Sequence, residues 1–244
     1  MKILVTGNLG YIGPVLGKTI KEFNSEIELE GIDTGIFIPC ITSKYKRIGD
    51  SYYDIQHYGD IRDIGVELLK KFDVIINLAA VSNDPIGKDF EKATSSINLE
   101  GTINLARKCV QAGIKRFIFA SSCSMYGEAG ENPKIESDKT LPLTAYAKSK
   151  IGVEETLKKL YSNNEIEIIS LRFSTACGVS DRTRLDLVLN DFVASAVKYK
   201  TIKILSNGKP WRPLIDVKDM CKAIIWATTT NFVMDDLPLS INIG

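Results

Sequence analysis

The chain has 244 residues, 44% hydrophobic and 25% charged, the make-up of an ordinary globular protein. A net charge of +1 excludes the strong basic field of a nucleic-acid binder, and no apolar run approaches the roughly 20 residues that span a bilayer, so neither nucleic acid nor membrane is an expected partner. Five scattered cysteines (Cys40, Cys109, Cys123, Cys177, Cys221) without a C-x-x-C pair, and a single histidine, His57, argue against a zinc site, a disulfide framework and a Ser-His-Asp triad; no metal and a reducing, cytoplasmic setting are expected.

The first apolar run, 2–6, reads as a strand rather than a targeting segment, because it is too short for a signal core and meets Gly7-Asn8-Leu9-Gly10-Tyr11-Ile12-Gly13 directly. A helical pattern over 12–23 follows, then a strand over 28–32 that ends at Asp33. A strand is predicted over 52–56, leading to Gly59-Asp60-Ile61-Arg62-Asp63, and a helix over 63–71. A strand over 74–78 closes on the small residues of Asn77-Leu78-Ala79-Ala80. The spacing predicts a helix over 97–112, a strand over 116–121, a helix over 145–161 and a strand over 167–172. Strands alternating with helices, several of them uniformly apolar, indicate an α/β fold: a Rossmann-type, doubly wound parallel sheet covered on both faces.

After residue 173 the alternation weakens. Turn-rich pieces at 178–184 and 206–213 interrupt shorter elements, which suggests a smaller C-terminal substrate lobe. The expected division is a cofactor domain over 1–172 and a lobe over 173–244, incomplete and interleaved with the core sheet. The last residues, 239–244, read as a strand with no helix after it, the expected mark of a truncated product.

A strand running into a glycine-rich turn and a helix suits a pyrophosphate, since glycine permits close backbone approach and the helix N-terminus favours an anion. Asp33 stands 20 residues beyond Gly13, where a carboxylate can bind both adenosine-ribose hydroxyls and repel a 2′-phosphate; NAD is expected over NADP. Asp60 is placed to accept from an adenine amino group, or else to cap a helix. Further along, Tyr146 and Lys150 fall four apart on one helix face, with Ser122 one strand upstream. A phenol of ordinary pKa near 10 becomes a usable base when an ammonium stands beside it. Tyr146 would then take a proton from a sugar hydroxyl while Ser122 donates to the same oxygen.

On these motifs the chain resembles the extended short-chain dehydrogenase/reductases, specifically the NAD-dependent epimerase/dehydratase group acting on nucleotide sugars. The resemblance covers essentially the whole chain and implies tightly bound NAD and a nucleotide-diphosphate sugar as substrate. It implies Gly7, Gly10, Tyr11, Ile12 and Gly13 as the phosphate loop, Asp33 as the ribose acid, Asp60 and Ile61 as adenine contacts, and Leu78, Ala79 and Ala80 beside the cofactor. It further implies Asn98 in support of the nicotinamide pocket, Phe173 flanking the ring, and Ser122, Tyr146 and Lys150 as the catalytic set, the last two also touching the cofactor. Substrate contacts implied are Ser124, Thr175, Asn190 and Arg212, the last through a planar guanidinium suited to a diphosphate, with a surface ion pair as its plain alternative. The segment 178–184 adds positive charge near the lobe or is a solvated loop. A homodimer packed through 97–112 and 145–161 is also implied, although those faces can equally be covered within one chain.

Departures from the family pattern narrow the reaction. Dehydratases of the group carry an Asp-Glu pair directly after the catalytic hydroxyl residue; here Cys123 and Ser124 stand there, and Thr175 replaces a common Asn. The expected reaction is therefore 4-epimerisation through a 4-keto sugar. A 4-ketoreductase or dehydrogenase, or a 4,6-dehydratase, is the alternative enzyme, and a non-catalytic NAD-binding sensor or scaffold is the alternative of another class. Cys123 and Cys177 as acid and base at a neighbouring carbon is a minor expectation against their use as small core fillers.

Overall fold

The computed structural model describes residues 1–40, 42, 52–82, 89–128, 132–161, 166–204, 207–208, 211–233 and 237–244. Among them, seven parallel strands form one sheet: β1 (Lys2–Thr6), β2 (Glu28–Asp33), β3 (Ile55–Tyr58), β4 (Val74–Asn77), β5 (Arg116–Ser122), β6 (Glu167–Phe173) and β9 (Leu239–Ile243). Their order is β3-β2-β1-β4-β5-β6-β9. The direction of winding reverses between β1 and β4, and ligands of such sheets bind in the crevice outside the carboxyl ends of the strands at that point. The apolar triplets Ile3-Leu4-Val5 and Phe117-Ile118-Phe119 are buried on both faces, which explains why these strands lack alternation.

Helices cover the sheet. α1 (Gly13–Phe23) carries Pro14 in its first turn, where the fixed φ of proline suits a helix start, and turns Leu16, Gly17 and Ile20 inward. α2 (Val66–Leu69) is shorter than the predicted 63–71, because Asp63 closes a turn on Asp60 and Gly65 supplies the extended residue before the helix. α3 (Glu91–Thr94) runs through a π-helical turn, Ser95–Gly101, into α4 (Thr102–Ala112), which ends on left-handed Gly113. α5 (Ala145–Tyr161) matches its predicted bounds.

Beyond β6 the chain does two things. β7 (Thr175–Cys177) and β8 (Leu214–Asp216) make a separate two-stranded parallel ladder, flanked by α6 (Val188–Tyr199). α7 (Val217–Thr229) packs on α1, β5 and β6 as well as on the small ladder, and β9 extends the main sheet beyond β6. Both helices exceed the short elements expected here. The apolar face of α7, Val217, Met220, Cys221, Ile224, Ile225 and Thr228, is helical in period and buried. Within the turn-rich piece 206–213, positions 206, 209 and 210 lie outside the described residues.

β3 begins three residues later than predicted. Tyr53 turns inward instead, its hydroxyl donating to the Gly13 carbonyl at 2.8 Å, while Asp54 accepts from the Leu29 amide at 2.7 Å and pairs with Lys21.

Candidate active site

The glycine loop lies between β1 and α1 at the point where the winding reverses. Gly7 has φ +70°, and a side chain there would sit 2.7 Å from the backbone of Ala79, so the loops after β1 and β4 touch at this glycine. A Cβ on Gly13 would overlap the Asn8 carbonyl. The first turn of α1 carries no side-chain cap and no acidic residue, which leaves its amides open to an anion. Tyr11 is buried and Ile12 half-buried behind the turn, and Gly10 donates to the Gly7 carbonyl.

Asp33 closes β2 beside this loop. Its carboxylate accepts from the Leu9 amide at 3.2 Å and the Gly35 amide at 2.8 Å, and it stays half-exposed. Asp60 is engaged locally. It accepts from the Arg62 amide and guanidinium, and those hydrogen bonds hold its carboxyl below the usual carboxylate range. Ile61 is buried beneath it. Leu78, Ala79 and Ala80 line the crevice half-exposed. Asn98 sits inside the π-helical turn and grips residue 81 with both ends of its amide, accepting from the Val81 amide at 2.8 Å and donating to its carbonyl at 2.9 Å. The cradle a side chain would fill, the open helix terminus and the nearby carboxylate together fit a dinucleotide with a free 2′-hydroxyl.

The second cluster lies at the ends of β5 and α5. Lys150 is buried, and its ammonium donates to the Ala120 carbonyl at 2.6 Å. It stands 5.2 Å from the centre of the Tyr146 ring and 4.6 Å from that of Phe119. Burial lowers its pKa from 10.5 to about 7, opposed by the charge of Glu154. Ser122, two residues beyond Ala120, is half-buried and accepts from the amide of exposed Ser124 at 3.2 Å. Tyr146 is half-buried at the first turn of α5. A phenol, a controllable cation and a hydroxyl donor at one sheet end suit proton transfer at an alcohol or ketone carbon.

The lobe approaches the same end. Phe173, buried, pairs in register with Ser122 across β5 and β6. Thr175 donates its amide to Pro213 at 3.0 Å and is half-buried. Arg212 is exposed, and its charge opposes the upward push that burial gives the thiol of Cys123, the residue after Ser122. Asn190 is spent within the protein: it accepts from the Gly178 amide and donates to the Tyr11 hydroxyl and the Arg184 carbonyl. The Cys177 thiol donates to the Ile215 carbonyl in the small ladder. Among the described residues no His, Cys, Asp or Glu cluster could hold a metal, and no helix is long and apolar enough to cross a membrane.

Five supporting residues escape the sequence reading. Asn8 and Gln56 exchange amide hydrogen bonds beneath the glycine loop, and Tyr53 braces its far side. Ser180 donates to the Tyr11 carbonyl from across the chain. Glu154 extends Tyr146 and Lys150 by one more turn of the same helix face, and that spacing was a visible signal.

The model of the family described as "NAD dependent epimerase/dehydratase family" matches residues 3–244. Protein CapI of Staphylococcus aureus is 28% identical over 234 residues, covering 92% of this chain and 68% of that protein. A UDP-glucose 4-epimerase of Streptomyces lividans is 28% identical over 196 residues, covering 75% of this chain and 55% of that protein. A solved structure of UDP-glucuronic acid 4-epimerase from Bacillus cereus in complex with NAD superposes with a TM-score of 0.85 at 27% identity, covering 100% of this chain and 77% of that one.

Proposed function

The chain belongs to the NAD-dependent epimerase/dehydratase family, and from that premise we propose that it inverts C4 of a nucleotide-diphosphate sugar. The observation that carries this reading is the buried Lys150, fixed on the Ala120 carbonyl beside the Tyr146 ring and two residues from Ser122.

In this reading Gly7, Gly10, Tyr11, Ile12 and Gly13 hold the NAD pyrophosphate, and Asp33 holds the adenosine ribose. Asp60, Ile61, Leu78, Ala79, Ala80, Asn98 and Phe173 complete the pocket. NAD, when bound, supplies the hydride acceptor and later the hydride donor. Tyr146, held as the phenolate by the neighbouring Lys150 ammonium, takes the proton from the C4 hydroxyl and becomes the phenol. Ser122 donates to the same oxygen and stabilises charge there. After the 4-keto sugar turns over, Tyr146 returns the proton to the C4 oxygen of the opposite configuration. Arg212, on the lobe side of Cys123, binds the diphosphate and leaves the hexose free to rotate, with Ser124 and Thr175 at its edge. Cys123 and Ser124 supply no carboxyl pair for eliminating water, which favours epimerisation over 4,6-dehydration.

Residues 1–172 serve the cofactor and 173–244 the substrate, the second set threaded back into the main sheet through α7 and β9. The reading includes a homodimer packed through α4 and α5 and a cytoplasmic setting; sedimentation of the purified protein tests the former.

The decisive experiment incubates protein and NAD with UDP-, dTDP- and GDP-hexoses and follows C4 configuration by proton NMR. Inversion of one sugar, lost in Tyr146→Phe while NAD still binds, is expected. Elimination of water, or net reduction with cofactor exchange at each cycle, would overturn it.

A further inference from the structure

Residues 178–184 cross the carboxyl ends of three adjacent strands, β2, β1 and β4, and are tied to the loop after each. At β1, the Tyr11 hydroxyl donates to the Gly178 carbonyl at 2.6 Å, and the buried Ser180 hydroxyl donates back to the Tyr11 carbonyl at 2.6 Å. Beyond β2, the Thr42 amide and hydroxyl both donate to the Asp181 carbonyl, at 2.7 and 3.0 Å, and the Thr42 and Thr183 hydroxyls bond at 3.1 Å. On the same side the Arg182 guanidinium lies 4.5 Å above the Phe37 ring. Beyond β4, Arg184 donates to the Ser82 hydroxyl at 2.9 Å. Asn190 locks the segment from behind through Gly178, Arg184 and the Tyr11 hydroxyl. Arg182 keeps one buried donor, Nε, without a hydrogen-bond partner among the described residues.

We propose that residues 178–184 are a latch across the mouth of the dinucleotide crevice, closed by Ser180 and the Tyr11 hydroxyl, so that cofactor enters or leaves only when the latch opens. This rests on the reading of the crevice as an NAD site. The crossing explains the use of Asn190, whose amide is consumed in holding the strap. It also supplies what an epimerase needs: the same cofactor molecule must give back the hydride it took, and a barrier to exchange keeps it in place between the two steps.

A latch has a kinetic signature that a plain contact lacks. It obstructs entry and exit alike, so opening it speeds both and leaves affinity nearly unchanged. NADH is the probe: its fluorescence on binding gives the association rate, and a chase with excess NAD gives release. Each latch hydrogen bond removed should speed release about tenfold. Ser180→Ala is expected to do this and to raise the association rate in parallel. Thr42→Val, which removes the exposed hydroxyl bonds to Asp181 and Thr183 and touches no core residue, should move both rates the same way if Ser180→Ala folds poorly. Release unchanged in both variants, or faster release with slower association, would overturn the latch while the cofactor site stands. Failure of the unaltered protein to bind NADH at all would overturn the cofactor reading, and the latch with it.

Discussion

Glu154 grips Arg172 with both carboxylate oxygens, Nη2 to Oε2 at 2.8 Å and Nε to Oε1 at 3.1 Å, in a buried ion pair one helical turn beyond Lys150. The pair is the hub of a wider network. Glu154 also accepts from Ser121, the residue between the Ala120 carbonyl that holds Lys150 and the hydroxyl of Ser122. Arg172 reaches the Tyr126 hydroxyl at 2.7 Å and the Glu136 carbonyl at 3.0 Å, and Tyr126 in turn donates to Asn242 on β9. One carboxylate thus fixes the end of β5, the lysine helix and the edge strand relative to one another.

Removing that carboxylate charge should be far worse than removing the whole pair. Glu154→Gln leaves a buried guanidinium uncompensated, at a cost of roughly 3–5 kcal/mol. Replacing both partners, as Glu154→Gln with Arg172→Met, removes the orphaned charge and should be less destabilising than Glu154→Gln alone. Urea denaturation of the two single variants and the double variant measures this. A double variant as unstable as the sum of the singles would show that the two residues act independently.

A second ion pair anchors α7 from outside the site. Arg116 at the start of β5 pairs with Glu167 and donates to the carbonyls of Ala227, Thr228 and Thr230, which satisfies the last turn of the helix with a cation where the helix dipole is negative. Its guanidinium also lies 5.2 Å from the Phe232 ring. Arg116→Ala should cost on the order of 3 kcal/mol, through several lost charged hydrogen bonds and unsatisfied carbonyls. Arg116→Lys should recover only part of it, because one ammonium cannot serve Glu167 and three carbonyls together. Thermal melting checks both; full recovery with lysine would mean that charge alone matters there.

What was legible in the chain follows from how far apart the cooperating residues are. The glycine loop, Asp33 and the Tyr146–Lys150 helix are local patterns whose spacing carries their geometry. The residues that hold them are not local. Asn8 finds Gln56 across 48 positions and Ser180 finds Tyr11 across 169, so nothing in either neighbourhood announces the contact. Asn98 was placed by resemblance, but the π-helical turn that directs its amide to residue 81 leaves no periodic trace. α7 was missed for a different reason. Its apolar period is clear from Val217 to Thr228, but the turn-rich stretch before it invited a reading of short elements throughout.

The titration of Lys150 gives a stability prediction whose sign is fixed by burial. In the unfolded chain its ammonium keeps its proton up to 10.5; in the fold burial brings that value down to about 7. Between these values the unfolded chain binds a proton that the fold does not, so stability rises with pH. Below 7 the residue is charged in both states, and the full desolvation cost, on the order of a few kcal/mol, stands against the fold. Besides Lys150, the titratable and charged groups at this spot are Tyr146 and Glu154 on the same helix and Arg172 on β6, the last two neutralising one another. Lys150→Met, which fills the same apolar slot without a charge, should therefore be more stable than the unaltered chain at pH 6. The difference should shrink as pH rises from 7 towards 10. Chemical denaturation across that range decides it: a constant difference would mean that burial of the methylene stem, rather than of the charge, sets the cost at this position.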